Sequence, residues 1–360
     1  VADSAARGSM VPWYPDRVER GAHAGVTRQT FTRRSLLLAT AAGAASCFGG
    51  RRSASGLPSV AGVRLGQRPG RTPALAFLDD RYALSADHAD DASACVWDVP
   101  NGRLVRSFAI PGRALVAAVS PDRERALIAG WSTQGRQRYY ARLYDHRSGR
   151  ELQDVDEIHL PGLAGLAMLI GTRVLAGYYD RGQPSGSLLW SLESDRPVRS
   201  FDLVADKISA DGQSALAGSL IWNVDTGAVR AGHPGGHDWN TGLAIATDGR
   251  SAVTRGEDRG GRRRAFLWNG DGEIRDLKDQ PGAVLCAAFS GDGRRLLTGA
   301  TRGFLAPADS LLTLRDARSG LRLANLAGHT RSVTAIACSA SGRWAISADA
   351  AGELFAWALS

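Results

Sequence analysis

Asp154, Asp156, Glu157 and His159 stand close enough in sequence to ligate a hard cation. His233 and His237 have the four-residue spacing that puts two imidazoles on one helix face around zinc. Neither pattern carries far. Pro234-Gly235-Gly236 lies between the two histidines and breaks a helix there, and the acidic run reads as a solvated turn at the end of a strand. No G-x-S-x-G elbow, H-E-x-x-H pair or Gly-rich phosphate loop occurs. Cys95, Cys286 and Cys338 fall in apolar, strand-like runs without C-x-x-C spacing, so they read as small buried side chains, at least one of them unpaired. The sequence calls for no catalytic residue, no metal and no cofactor.

The side chains best suited to contact another molecule are aromatic rings and guanidinium groups. They gather at Trp131, Arg136, Arg138 and Tyr139; at Tyr179, Asp180 and Arg181; from Glu257 to Arg263; from Phe304 to Pro307; and at Trp239 beside His237. Trp, Tyr and Arg are enriched at protein-interface hot spots because they cover large areas and bond through stiff polar ends.

A repeated unit must position them. The stretch from Ala327 to Ser360 has a Gly-His turn at Gly328-His329, a strand from Val333 to Cys338, a turn closed by Gly342, a strand from Trp344 to Ala348 and a third ending on Trp357. Such a unit cannot bury both faces alone, so copies must stack against it. The third-strand ending recurs at Trp97, Tyr144, Trp190, Trp222, Trp268, Arg315 and Trp357, at intervals of 47, 46, 32, 46, 47 and 42 residues. Each is preceded by an apolar strand running into a turn: FLDDR, VSPDR, LIGTR, ISADG, IATDG, FSGDG and CSASG.

Period and register resemble the WD-repeat β-propeller family, whose repeats run ~40–45 residues with Gly-His near the start and Trp-Asp at the end. Only Trp97-Asp98 is a literal Trp-Asp, and the resemblance covers Ser59 to Ser360. It implies an all-β, seven-bladed β-propeller of four-stranded antiparallel blades. Ser59 to Arg64 alternates in polarity while the last unit stops at its third strand, so this segment is expected to complete blade 7 and close the ring, removing two exposed edges. The links between second and third strands are long in blades 2, 3, 5 and 6 and nearly absent in blade 4, which puts most of the aromatic and arginine residues on one face.

The resemblance also implies a polar network in each blade, between a His before the first strand and an Asp before the third. By register the His position holds Gln67, His159, His237, Gln280 and His329 in blades 1, 3, 5, 6 and 7. The Asp position, six residues before the Trp position, holds Asp91 in blade 1, Asp309 in blade 6 and Ala351 in blade 7. No blade is then expected to have the whole network. Gln67–Asp91 and Gln280–Asp309 are expected to bond in its place, with the histidines bonded to backbone or water, and all seven residues are read as structural.

Residues 1–47 resemble a twin-arginine export signal: Arg33-Arg34, a weakly apolar run too short to span a bilayer, then small residues. The run ends in Ala44-Ala45-Ser46-Cys47, which resembles a lipoprotein processing site. Either Cys47 carries lipid and tethers the protein, or cleavage follows Ala44 or Ala45 and frees it. Residues 48–58 read as a linker and 59–360 as the propeller. Six of the 44 basic and three of the 36 acidic residues lie in the first 47, so the remainder carries about +5. All its basic residues are Arg except Lys207 and Lys278, and no single strand collects the charge, which argues against nucleic acid as partner.

The expectation is an exported, extracytoplasmic scaffold of the periplasm or cell envelope. It touches the membrane only through a lipid on Cys47, works as a monomeric ring, has no chemistry of its own and binds a protein or peptide on the long-loop face. The alternative is an enzyme or small-molecule binder with its site in the axial channel.

Overall fold

Runs of six to eight residues in which small and branched side chains alternate, each closed by a Gly, Asp or Ser turn, build one antiparallel hairpin after another along this chain. The computed structural model describes residues 58–359, apart from 69, 91, 121, 133–137, 155–162, 171, 181–182, 194–195, 234–240, 258–262, 278, 281 and 303–310. Among the described residues the regular structure is entirely β, arranged as seven sheets in a ring. The innermost strands are Arg71–Phe77, Gly112–Val119, Leu163–Ile170, Lys207–Ile208, Thr241–Ile245, Val284–Phe289 and Val333–Cys338, in blades 1 to 7. The protein is a seven-bladed β-propeller.

The core is divided in the same way. Seven apolar clusters each combine residues of two neighbouring blades, including blade 7 with blade 1. Trp357 of blade 7 packs with Leu297 and Leu312 of blade 6, and Trp222 of blade 4 packs with Leu189 and Phe201 of blade 3. In the five blades whose third strand has a tryptophan, it thus seals the blade against the one before. Alanines at inward positions (Ala83, Ala126, Ala215, Ala252, Ala345) let the sheets approach closely.

Ring closure differs from the expectation in register. Val63–Gln67, not the segment from Ser59, supplies blade 7's outer strand, pairing antiparallel with Glu353–Ala358. Ser59–Ala61 instead pairs parallel with Arg322–Ala327, adding a fifth strand to blade 6. The chain crosses between the two sheets at Gly62, where a Cβ would lie 2.7 Å from the Trp357 ring, so the buried indole dictates the glycine.

Blade 7 contains a complete polar network. Trp357 Nε1 donates to Ser347 Oγ at 2.8 Å, Ser347 Oγ lies 2.6 Å from His329 Nε2, and His329 Nδ1 lies 3.1 Å from Asp349 Oδ2. One proton arrangement satisfies every group: indole N–H to Ser347, Ser347 O–H to Nε2, and Nδ1–H to the carboxylate. Asp349 Oδ1 also accepts the amides of Ala351 and Glu353. The expected register misses this carboxylate because it stands eight residues before Trp357, at the end of the second strand, and not six. His329 therefore bonds side chains, not backbone or water.

The other blades keep parts of it. In blade 1, Trp97 Nε1 donates to Ser85 at 2.9 Å, but the His place is filled by Arg68, which pairs with buried Asp87 at 2.8 Å and also bonds Ser93. Gln67 is exposed, its amide donating only to Ala351 O at 3.4 Å, and Asp91 lies outside the described residues. In blade 6 the fully buried Arg315 replaces Trp and donates to Thr298 (3.2 Å), Gly320 O (2.7 Å) and Asp279 (2.7 Å). Since both Arg315 and Thr298 present protons, Gln280 turns its carboxamide oxygen to them. Asp309, His159 and His237 lie outside the described residues. In blade 5 His233 packs edge-on against Phe266 and Trp268, while His329 packs edge-on against Phe355 and tilted against Trp357.

In blades 3 and 4 the position equivalent to Ser347 is Ala176 or Ala217, and the indole N–H groups of Trp190 and Trp222 find no partner among the described residues. Ser347→Ala should strand both Trp357 Nε1 and His329, costing about 1–3 kcal/mol, whereas Ala176→Ser should supply Trp190 with an acceptor and gain about 0.5–1.5 kcal/mol. Denaturant midpoints of the two variants check this.

Asp349 is held below the ordinary carboxyl value: burial opposes its ionisation, and the bonds from His329 and two amides outweigh it. A folded value below the unfolded one contributes stability above about pH 4 that is lost as the pH falls through the folded value. Asp349→Asn should therefore flatten the acid limb of the stability profile below about pH 4 relative to the parent, as read by urea titrations across that range.

Candidate functional site

On the loop face, blade 2 carries its insertion as a lengthened hairpin. Trp131, in the second strand Arg125–Ser132, pairs in register with Tyr139 of the third strand Arg138–Asp145, and Ser132 pairs with Arg138. On its other side Trp131 pairs with Arg113 of the innermost strand, whose guanidinium meets Asp90 of blade 1 at 2.8 Å. One residue inward, buried Tyr140 donates its hydroxyl to Gly112 O at 3.1 Å and anchors the hairpin's base. Paired backbone holds these positions more rigidly than an open loop would.

Blade 3 behaves similarly. The expected long link is mostly strand, for Tyr179 pairs with Pro184 and Asp180 with Gln183 beyond a bulge at Tyr178. In blade 5, Arg263 pairs with Glu257 in register and its guanidinium reaches that carboxylate at 3.4 Å, an exposed contact of small energetic weight. In blade 4 only Gly218 and Ser219 separate the second and third strands. Arg136, Arg181, Trp239 and the stretches 258–262 and 304–307 lie outside the described residues, as do Cys47, Arg33 and Arg34. The structure thus places Trp131, Arg138 and Tyr139 on one hairpin, Tyr179 on the next blade and Arg263 two blades further round.

The innermost strands enclose a cavity of ≈ 740 Å³ along the ring axis. Its wall mixes polar and apolar groups, with Leu115, Ile208, Leu243, Leu285 and Ile336 supplying hydrocarbon. Charge enters from blades 4 and 5. Asp206 accepts the amides of Gly218 (2.6 Å) and Gly242 (2.9 Å), joining the two blades. Burial pushes the Asp206 carboxyl up and the Lys207 ammonium down, and it lowers the Arg255 guanidinium, with Arg263 adding to the effect. Lys207 is nevertheless reached by solvent through the channel.

Sequence reasoning did not single out these three residues. The available signal was Lys207 itself, one of two lysines in a chain that otherwise uses only Arg.

The cysteines offer no nucleophile. Burial pushes the thiols of Cys286 and Cys338 up to about 12, and Cys286 donates to Val333 O at 3.5 Å. His233 is a core residue of the blade 4–5 interface and not half of a surface pair. Among the described residues no group of three or more His, Cys, Asp or Glu is placed to hold a metal ion, and no helix is long and apolar enough to cross a membrane.

With this geometry in hand, comparison with known families is specific about one region. A family model described as WD domain, G-beta repeat matches residues 320–357. This stretch is similar to a WD repeat. The match begins just before blade 6's strand Arg322–Ala327 and ends on Trp357, so the WD repeat is offset from the blade by one strand and carries the Trp357–Ser347–His329–Asp349 network within it. No curated protein matches the chain. The WD repeat and the seven-bladed ring together support a WD-repeat propeller.

At pH 8 a thiol with a value near 12 is ionised only to about one part in ten thousand. Cys286 and Cys338 should resist iodoacetamide in the folded WD-repeat ring and react in denaturant, as followed by peptide mass spectrometry.

Proposed function

We propose that this propeller is a non-catalytic scaffold of the cell envelope that binds a protein or peptide on the face carrying the blade 2 and blade 3 hairpins. WD40 propellers are generally protein-interaction scaffolds, and the match in blade 7 makes that class the starting point. The observation that carries the reading is the register of Trp131 with Tyr139, which sets two large aromatic residues and Arg138 on a hairpin anchored by Tyr140. Aromatic and guanidinium groups on stiff backbone lose little entropy on binding, which suits them to anchor a partner. Burial raises the Cys286 and Cys338 thiols to about 12, which keeps them protonated at neutral pH, and His146, His233 and His329 are buried.

Export rests on the Arg33-Arg34 run, and Cys47 would supply a lipid tether. In this reading the ring acts as a monomer outside the cytoplasm, with the membrane touched only through that lipid.

The test is capture from the envelope fraction by the intact protein and by a Trp131→Ala, Tyr139→Ala, Trp239→Ala variant, both checked for folding. Loss of a specific partner in the variant alone is expected, with an affinity loss of at least about 2 kcal/mol for a hot-spot cluster. Equal capture by both would place the interaction elsewhere on the ring.

A further inference from the structure

Cations in an apolar cavity are costly unless something pairs with them. Lys207 lines the axial channel, and its ammonium has no hydrogen-bond or ion-pair partner among the described residues. Arg255, also in its wall, makes one long hydrogen bond, to Val284 O at 3.4 Å. Arg255 is paired in register with Thr241 of blade 5's inner strand and Lys207 stands on the inner strand of adjoining blade 4, so the two cations enter the cavity from neighbouring blades.

The local charge does not balance. Asp206 supplies one negative charge, but one of its oxygens is already committed to the amides of Gly218 and Gly242. Glu257 is matched by Arg263. Arg123 enters the wall near the turn side, where Asp80 offsets it. Among the described residues, Lys207 and Arg255 against Asp206 leave an excess of one positive charge in the wall. Beside them Ile208, Leu243, Leu285 and Ile336 supply hydrocarbon to the wall. A volume of ≈ 740 Å³ falls in the range of small-molecule sites, about 300–1,000 Å³.

We propose that the axial channel binds a small organic monocarboxylate, its carboxylate between the Lys207 ammonium and the Arg255 guanidinium and its apolar body along the inner strands. A single negative charge cancels the excess, and a hydrocarbon body replaces water on the wall. Inorganic anions lack the body, and neutral analogues leave the cations unpaired. This site is independent of the hairpin face, so either can fail without the other.

Benzoate serves as the probe, with benzamide as its neutral isostere and inorganic phosphate as the bodiless anion. In calorimetric titrations of the full chain, benzoate should bind about tenfold or more tightly than benzamide or phosphate. Lys207→Met and Arg255→Gln should each remove that preference. Lys207→Met exchanges an unpaired charge for an apolar chain of similar length, so it is expected to fold. Equal binding of benzoate and benzamide, absence of benzoate binding, or unchanged binding in both variants would overturn the site.

A second measurement needs no variant. The chain has two lysines, so acetylation by acetic anhydride can be followed at Lys207 with Lys278 as internal reference. Benzoate should slow modification of Lys207 several-fold relative to Lys278, and benzamide should not. Equal protection by both, no protection, or a Lys207 that never reacts in the folded chain would each overturn the proposal.

Discussion

A four-stranded antiparallel sheet with apolar side chains on both faces has no stable existence by itself, and this constraint governs the whole molecule. Each blade buries one face against the blade before it and the other against the blade after. Seven separate clusters, each shared by two blades, replace a single central core. Two blades would still be left with an open face each unless the chain's ends met. The pairing of Val63–Gln67 with Glu353–Ala358 brings them together, and the blade 7–blade 1 cluster forms only because of it.

The third-strand tryptophan is the largest component of this packing, and its N–H is the polar group that packing buries. Blade 7 satisfies it through serine, histidine and aspartate, blade 1 satisfies it through Ser85, and blade 6 avoids the problem by using an arginine with its own set of acceptors. In blades 3, 4 and 5 the indole N–H has no partner among the described residues. Apolar burial thus holds the ring together, while the network adds order where it is present. The WD-repeat model matches the region that contains this network.

The same packing divides the surfaces available for function. Inner strands must converge on the axis, so they enclose a channel whatever their sequence, and the side chains they point inward decide what it can hold. Second and third strands can lengthen away from the axis without disturbing neighbouring blades. Blades 2 and 3 do so, with Trp131, Tyr139 and Tyr179 on paired backbone.

How much of this could be read from the chain depends on the range of the interaction. The sequence by itself determined the blade count and each blade's first three strands, because period and strand alternation are local: one residue faces in, the next faces out, and the Trp position returns about every 46 residues. It also marked Trp131 and Tyr139 as outlying aromatics. Tertiary structure alone decided which groups meet across turns and across blades. Counting six residues back from Trp357 reaches Ala351, yet the carboxylate that meets His329 is Asp349, since the turn between strands sets the distance in space. Arg68 stands where register offers Gln67, because an arginine one residue on is long enough to reach Asp87. The partnering of Ser59–Ala61 with blade 6, and the gathering of Asp206, Lys207 and Arg255 at one side of the channel, depend on ring closure, which brings together residues far apart in the chain.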